Sequence, residues 1–231
     1  MNMTSRMVLG AALAAGALTA IPAQADEGPF MMRLRGVYLD FAQKSDAFSI
    51  TPLDGATINI PSDAVTLNKK WIPDIDLEWF FTPNISSELV LTFPQSQDVT
   101  VAVPGVGAVA LGSFKHLPPT LTVKYNFMPG QDFRPYVGIG VNVTFISDVK
   151  LSVPAAASPT GATLPLDLDS TSVGFAGQLG FDYKFADHWF GNVDVKWVQL
   201  GSDVKIKDTG DVVTKVHLDP WLLGVGIGYR F

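Results

Sequence analysis

Trp71-Ile72-Pro73-Asp74-Ile75-Asp76-Leu77-Glu78-Trp79-Phe80-Phe81 carries two rows of side chains that alternate with a period of two. Trp71, Pro73, Ile75, Leu77, Trp79 and Phe81 form one row, and Asp74, Asp76 and Glu78 form the other. That period belongs to a β-strand, whose successive side chains point to opposite faces. Three carboxylates on one face exclude a strand buried in apolar surroundings on both sides. The apolar row has a tryptophan near each end, eight residues apart.

The alternation recurs along the chain. Leu121, Val123, Tyr125 and Phe127 oppose Thr120, Thr122, Lys124 and Asn126, and Pro135, Val137, Ile139, Val141, Val143 and Phe145 oppose Arg134, Tyr136, Gly138, Gly140, Asn142 and Thr144. Val173, Phe175, Leu179, Phe181, Tyr183 and Phe185 stand against Gly174, Ala176, Gln178, Gly180, Asp182 and Lys184. Trp189, Val193, Val195 and Trp197 face away from Asn192, Asp194 and Lys196, and the last eleven residues set Trp221, Leu223, Val225, Ile227, Tyr229 and Phe231 against Leu222, Gly224, Gly226, Gly228 and Arg230. Two less clean strands, near 32–41 and 87–93, bring the total to eight. Segments of about ten residues suit strands that cross a bilayer at a tilt.

The connections near 82–86, 128–133 and 186–188 are short and hold turn-forming Pro, Gly, Asn or Asp, whereas 42–70, 95–117, 146–170 and 201–215 are long. Long and short alternate, beginning and ending with long. This is the order expected of an eight-stranded antiparallel transmembrane β-barrel with short periplasmic turns, long extracellular loops and both termini in the periplasm.

Composition points the same way. Mean hydropathy is positive and only 16% of residues are charged, so the excess apolar surface faces something other than water. Residues 1–25 read as a cleaved signal peptide, with Arg6, an apolar run from Met7 to Ala20, and Ala23-Gln24-Ala25 before the expected cut at Asp26. An apolar run of about 14 residues is short for a membrane-spanning helix. The expected mature domain is therefore 26–231, an outer-membrane β-barrel of net charge −7. Such a balance excludes nucleic acid as a partner, because that would call for clustered Lys and Arg. Cysteine is absent, which removes disulfide and thiolate chemistry.

Alternation alone does not say whether the apolar row meets lipid or fills the core of a soluble barrel. The aromatic residues favour lipid. Trp71 and Trp79, Trp189 and Trp197, and Trp221 and Tyr229 are same-row pairs eight residues apart. Eight residues at a rise of about 3.3 Å, tilted by about 40°, climb about 20 Å, which approximates the separation of two interfacial aromatic girdles. The opposite row is rich in glycine, as suits a narrow interior.

Candidate chemistry is sparse. His116, His188 and His217 have no metal-ligand spacing. His217 and Asp219, with Ser202 and Asp203, offer the one place where a hydrolase-like cluster could assemble, and a solvated barrel rim is the plainer reading. Gly224, Gly226 and Gly228 mimic a nucleotide-binding pattern but lack the following helix. The inner-wall charges Asp74, Asp76, Glu78, Lys124 and Arg134 are expected to form a structural network, with Arg33 and Arg35 as further cations, rather than a Ca²⁺ site. No catalytic residue, cofactor or metal is expected.

Leu218-Asp219-Pro220-Trp221 running to Gly228-Tyr229-Arg230-Phe231 resembles the last strand of the OmpW family of small outer-membrane barrels. Leu117-Pro118-Pro119-Thr120-Leu121, Phe133-Arg134-Pro135-Tyr136-Val137-Gly138 and Gly177-Gln178-Leu179-Gly180-Phe181-Asp182-Tyr183 followed by Trp189 are similar to that family too. A terminal Phe231 on an alternating aromatic strand resembles the signal read by the barrel assembly machinery. The resemblance implies a narrow, partly apolar channel, associated with small hydrophobic molecules and with no enzymatic step. Strand seven departs from it, since Asn192, Asp194 and Lys196 are polar. An apolar constriction would then come from Val198, Leu200 or Leu222.

The expected function is a passive channel for small hydrophobic solutes in the Gram-negative outer membrane, with membrane lipid as its surroundings. The alternative is a structural or receptor barrel whose loops bind partners. Pro94 closes strand three, and Pro118 and Pro119 open strand four; each lacks an N–H, so the ladder between these strands is expected to be incomplete near the outer leaflet. These prolines are the lateral-exit candidates, a route the resemblance also implies.

Overall fold

The computed structural model describes residues 28–42, 44–50, 57–154 and 162–231. The expected signal segment, 1–25, lies outside the described residues. The strands are β1 (Phe30–Asp40), β2 (Lys44–Ser45), β3 (Phe48–Ile50), β4 (Ile58–Ile60), β5 (Val65–Leu67), β6 (Lys70–Phe80), β7 (Ile85–Thr92) and β8 (Gln95–Val103). They continue with β9 (Gly107–Leu117), β10 (Thr120–Asn126), β11 (Phe133–Val153), β12 (Leu164–Leu168) and β13 (Thr171–Ala186). The last four are β14 (Trp189–Val198), β15 (Gly201–Ile206), β16 (Val212–His217) and β17 (Trp221–Arg230).

Eight of these close an antiparallel barrel in the order β10, β7, β6, β1, β17, β14, β13, β11, with β11 returning to β10. Closure pairs every stave on both sides and leaves no edge within the barrel. The alternation read from the sequence holds on each stave. On β6 the exposed residues are Trp71, Pro73 and Ile75, while Asp74, Asp76 and Glu78 are buried. Ile139, Val173 and Phe175 on the outer face are 70–77% exposed, an arrangement that water would penalise and hydrocarbon would not.

The aromatic pairs fall into two levels. Trp197 is the register partner of Trp221, and Tyr38 is that of Trp71, with rings 5.5 Å apart. At the other level Trp189 is opposite Tyr229 and Trp79 is opposite Phe30. Phe231 lies beside both Phe30 and Tyr229, with ring centroids at 5.5 and 5.0 Å.

Glycine lines the inner wall where neighbouring backbone comes too close for a side chain. A Cβ on Gly140 would stand 2.1 Å from the Leu121 carbonyl oxygen, and one on Gly226 would stand 2.3 Å from that of Leu34. These contacts let eight strands coil tightly around a narrow interior.

Two segments expected to be loops, 95–117 and 201–215, are instead largely strands, as are parts of the other two long connections. β11 runs for 21 residues, a climb of about 50 Å at ordinary rise and tilt, well beyond the apolar band. Its upper part pairs with β9 on one side and β12 on the other. The pairing continues from β12 to β15, β16 and β2, and from β9 to β8 and β5. The result is a second storey of wall above the staves, packed around Leu39, Val65, Leu67, Val99, Val101, Phe114, Leu151, Leu166 and Val216. The sequence pattern allowed this: Gln97, Val99, Val101 and Val103 alternate with exposed or partly exposed neighbours as regularly as any stave.

Candidate functional site: a walled cavity above a charged floor

The lower interior is filled by charge. β1 and β6 are in a register that places Arg33 opposite Asp76 and Arg35 opposite Asp74, so their ion pairs follow from strand pairing. Arg33 Nη1 lies 3.0 Å from Asp76 Oδ1 and 2.5 Å from Glu78 Oε2. Arg35 Nε and Nη2 both donate to Asp74, each at 2.9 Å, and Nη1 lies 3.1 Å from Asp76. Lys124 Nζ bridges Glu78 at 2.9 Å and Glu88 at 3.0 Å, and Lys196 Nζ reaches Glu88 at 2.9 Å. Ser86 Oγ donates to Glu78.

Carboxylate oxygens of Asp76, Glu78 and Glu88 converge within 4.8 Å, a spacing that could hold a cation. Arg33 and Lys124 nitrogens already occupy that role. Burial of so many charges is tolerable only when each is paired and hydrogen-bonded, which is the arrangement here. Arg134 is the register partner of Asp182 on β13. It lies towards the periplasmic end, where its Nε donates to the Gln131 carbonyl and its guanidinium lies 5.0 Å from the Phe190 ring. Glu88, Asp182, Asp194 and Lys196 also belong to the network, beyond the members expected from the sequence. Below it, Met31, Phe80 and Phe190 form a small apolar cluster, and Arg230 sits 3.9 Å over the Phe80 ring.

Above the charges the wall turns apolar. Val37, Leu39, Ile72, Val90, Val198, Leu200 and Leu222 surround a small space of about 40 Å³, shared with Thr92, His116, Pro118 and Thr120 and floored by Arg35, Asp74, Asp194 and Lys196. Val198, Leu200 and Leu222, the expected sources of an apolar constriction, thus line the interior at one level. Higher still, the second storey encloses a cavity of about 470 Å³, lined by Val99, Val101, Phe114, Leu151, Val204 and Leu218 among others. That volume is in the range of pockets for small organic molecules.

Between the two spaces lie Phe41, Phe114 and His116. Both phenyl rings stand 6.1 Å from the imidazole. His116 belongs to β9, above the membrane-spanning staves, and burial, with the nearby Lys70 charge, pushes its pKa down to about 4. It is therefore neutral at ordinary pH. Near the outer surface, the Lys205 hydrogen bond holds the Asp169 carboxyl below the usual carboxylate range.

The prolines stand on either side of a break in the wall. The β7–β10 ladder runs from Tyr125 opposite Ile85 up to Thr120 opposite Val90 and stops. The β8–β9 ladder starts at Gln95 opposite His116. Residues 91–94 and 117–119 lie between, and no ladder pair joins the two segments across this gap. Pro119 spends its carbonyl on the other neighbour, accepting from Val143 N at 3.1 Å. Thr92, Pro118 and Thr120 line the small apolar space, so the break opens from it; Leu91 and Phe93 are exposed on the outer surface beside it.

The hydrolase-like cluster does not assemble. Gly201 is the register partner of His217, and Ser202 that of Val216, which puts Ser202 and His217 on opposite faces of the β15–β16 ribbon. Ser202 is buried and His217 exposed. Asp219 Oδ1 accepts from Leu200 N instead.

Comparison with known proteins agrees with this architecture. The OmpW family model matches residues 26–231. The chain is 34% identical over 229 residues to the uncharacterized outer-membrane protein y4mB of Sinorhizobium fredii, covering 94% of this chain and 90% of that protein. It is 33% identical over 198 residues to outer membrane protein W of Vibrio cholerae, covering 83% and 88%. The crystal structure of the outer membrane protein OprG from Pseudomonas aeruginosa superposes with a TM-score of 0.68 at 28% identity, over 89% of this chain and 97% of that one. With this barrel, this storeyed wall and these relatives, the chain belongs to the OmpW family and is an integral β-barrel of the Gram-negative outer membrane.

Proposed function

We propose that the protein takes up small hydrophobic molecules from outside the cell and releases them sideways into the outer leaflet. The carrying observation is the alignment of three features: a 470 Å³ apolar cavity, an apolar space below it, and the ladder break that opens from that space. Transfer from water to an apolar wall is favourable by about 25 cal/mol per Å² of apolar surface removed, so the cavity draws such solutes without an energy source. Downward passage is opposed by the buried charges, which an apolar solute would have to strip of partners. A break of four residues, 91–94, spans about 13 Å along the strand at ordinary rise, enough for an alkyl chain.

The same reading makes the protein a passive carrier that breaks no covalent bond and needs no cofactor. It assigns Trp71, Trp79, Trp189, Trp197, Trp221 and Tyr229 to the two membrane interfaces, and Phe231 to recognition by the assembly machinery.

The absence of cysteine allows a direct test. Continuing the register above Thr120–Val90 sets Leu91 opposite Pro119. A Leu91→Cys/Pro119→Cys variant, oxidised, should lose uptake of a hydrophobic solute into cells while a small polar solute is unaffected, and reductant should restore it. Uptake unchanged after complete cross-linking would overturn sideways release. In planar bilayers the wild-type protein should pass little ion current; sustained open-channel steps would show the charged floor to be permeable.

A further inference from the structure

Gln97 and His116 are a buried polar pair beside the lower apolar space. Gln97 is fully buried and His116 is 3% exposed, and their Nε2 atoms lie 3.1 Å apart. One of these nitrogens donates to the other. If the Gln97 amide donates, His116 carries its proton on Nδ1, leaving an imidazole N–H donor and the Gln97 carbonyl acceptor. If the amide is turned so that its oxygen accepts from His116 Nε2–H, an amide donor and an Nδ1 acceptor remain. Either way at least one donor and one acceptor are left over. Both Gln97 Oε1 and His116 Nδ1 lack a hydrogen-bond partner.

Unpaired buried polar atoms are costly and rare, and apolar side chains would fill this layer at lower cost. Through the imidazole the pair also borders the proposed path. His116 lines the lower apolar space, and Phe114, in contact with its ring, lines the upper cavity. Phe41 flanks the imidazole from another side, so an incoming chain would lie against aromatic faces with a hydrogen-bonding head at the polar pair.

We infer that Gln97 and His116 form a polar anchor that selects hydrophobic molecules carrying one hydroxyl or similar head group, which both gives and accepts a hydrogen bond, over pure hydrocarbons. This rests on the proposed uptake of hydrophobic molecules. A hydroxyl satisfies the pair in either amide orientation, whereas a hydrocarbon leaves both atoms unpaired.

The test compares 1-octanol with octane on protein in lipid nanodiscs, for wild type and a Gln97→Leu/His116→Phe variant whose folding is checked by its heat-dependent gel migration. The ratio of octane to octanol Kd should fall about tenfold in the variant, because octanol loses its hydrogen bonds while octane does not. In the wild type, octanol but not octane should shift the ¹⁵N imidazole resonances of His116, a readout that does not depend on any variant. Octane and octanol binding with an unchanged ratio and an unshifted His116 signal would overturn the anchor while leaving hydrophobic uptake standing. Failure of both molecules to bind the wild type would overturn the uptake reading and the anchor with it.

Discussion

Arg33 and Asp182, 149 positions apart in sequence, face each other in a two-point ion pair, with Nε and Nη2 of the arginine donating to the two carboxylate oxygens at 3.0 and 2.6 Å. The pair ties β1 to β13, which are not neighbours in the barrel. Removing one partner of a buried pair leaves a charge unmatched in a low-dielectric interior, at a cost of about 3 to 5 kcal/mol. Asp182→Asn should therefore lower stability by about 3 kcal/mol in urea unfolding from lipid vesicles. Arg33→Met should cost at least as much, since Asp76 and Glu78 also lose a partner, and the double variant should cost less than the two added together.

Arginine at Ile139 or Val225, both exposed on the outer apolar band, should cost about 2 to 4 kcal/mol in the same measurement. Arginine at Asp208, in the exposed turn after β15, should be nearly neutral. Equal costs at the two kinds of site would mean that the band does not face hydrocarbon.

Folding keeps His116 neutral down to about pH 4, whereas the unfolded imidazole takes up its proton near 6.5. The unfolded state thus binds the extra proton first as pH falls, and stability contributed by this group declines from about pH 6.5 to about 4. The full loss is on the order of 3 kcal/mol. His116→Phe should flatten that part of the profile relative to wild type when urea midpoints are measured between pH 4 and 8. Parallel profiles would show that the imidazole is hydrated in the fold.

The outer-membrane form should begin at Asp26, and its unheated sample should migrate in SDS gels differently from the boiled one, because a closed barrel offers no edge from which to unzip. N-terminal sequencing that returns Met1 from washed outer membranes would contradict the cleavage site, and identical migration would contradict the resistant barrel.

The staves were legible because a lipid-facing row and a polar row differ in kind at every second residue, as at Trp71 to Phe81. Height and partner were less legible. Alternation says that Arg33 and Asp182 both point inward, yet only the closed register brings them together. Glu88 escaped notice because Ser86, Ser87 and Glu88 are all polar, which blurs the faces of β7. The upper wall is hidden for a different reason: eight other strands already complete the crossing, so the alternation of β8 and β9 has no place in the bilayer count and reads as loop. The break at Pro94, Pro118 and Pro119 had a local cause that sequence does carry, the missing N–H of proline, whereas the space behind it depends on side chains from strands far apart.

The cavity wall above the membrane is a strand ribbon, and on β8 the inward Val99, Val101 and Val103 alternate with Thr100 and Ala102, which point away from it. Whatever approaches this wall from outside meets only the second set, and the cavity presents only the first. The outer surface and the cavity lining are interleaved one residue at a time on the same backbone. Substitutions such as Ala102→Glu can therefore recast the outer face of the wall while leaving the cavity lining as it is.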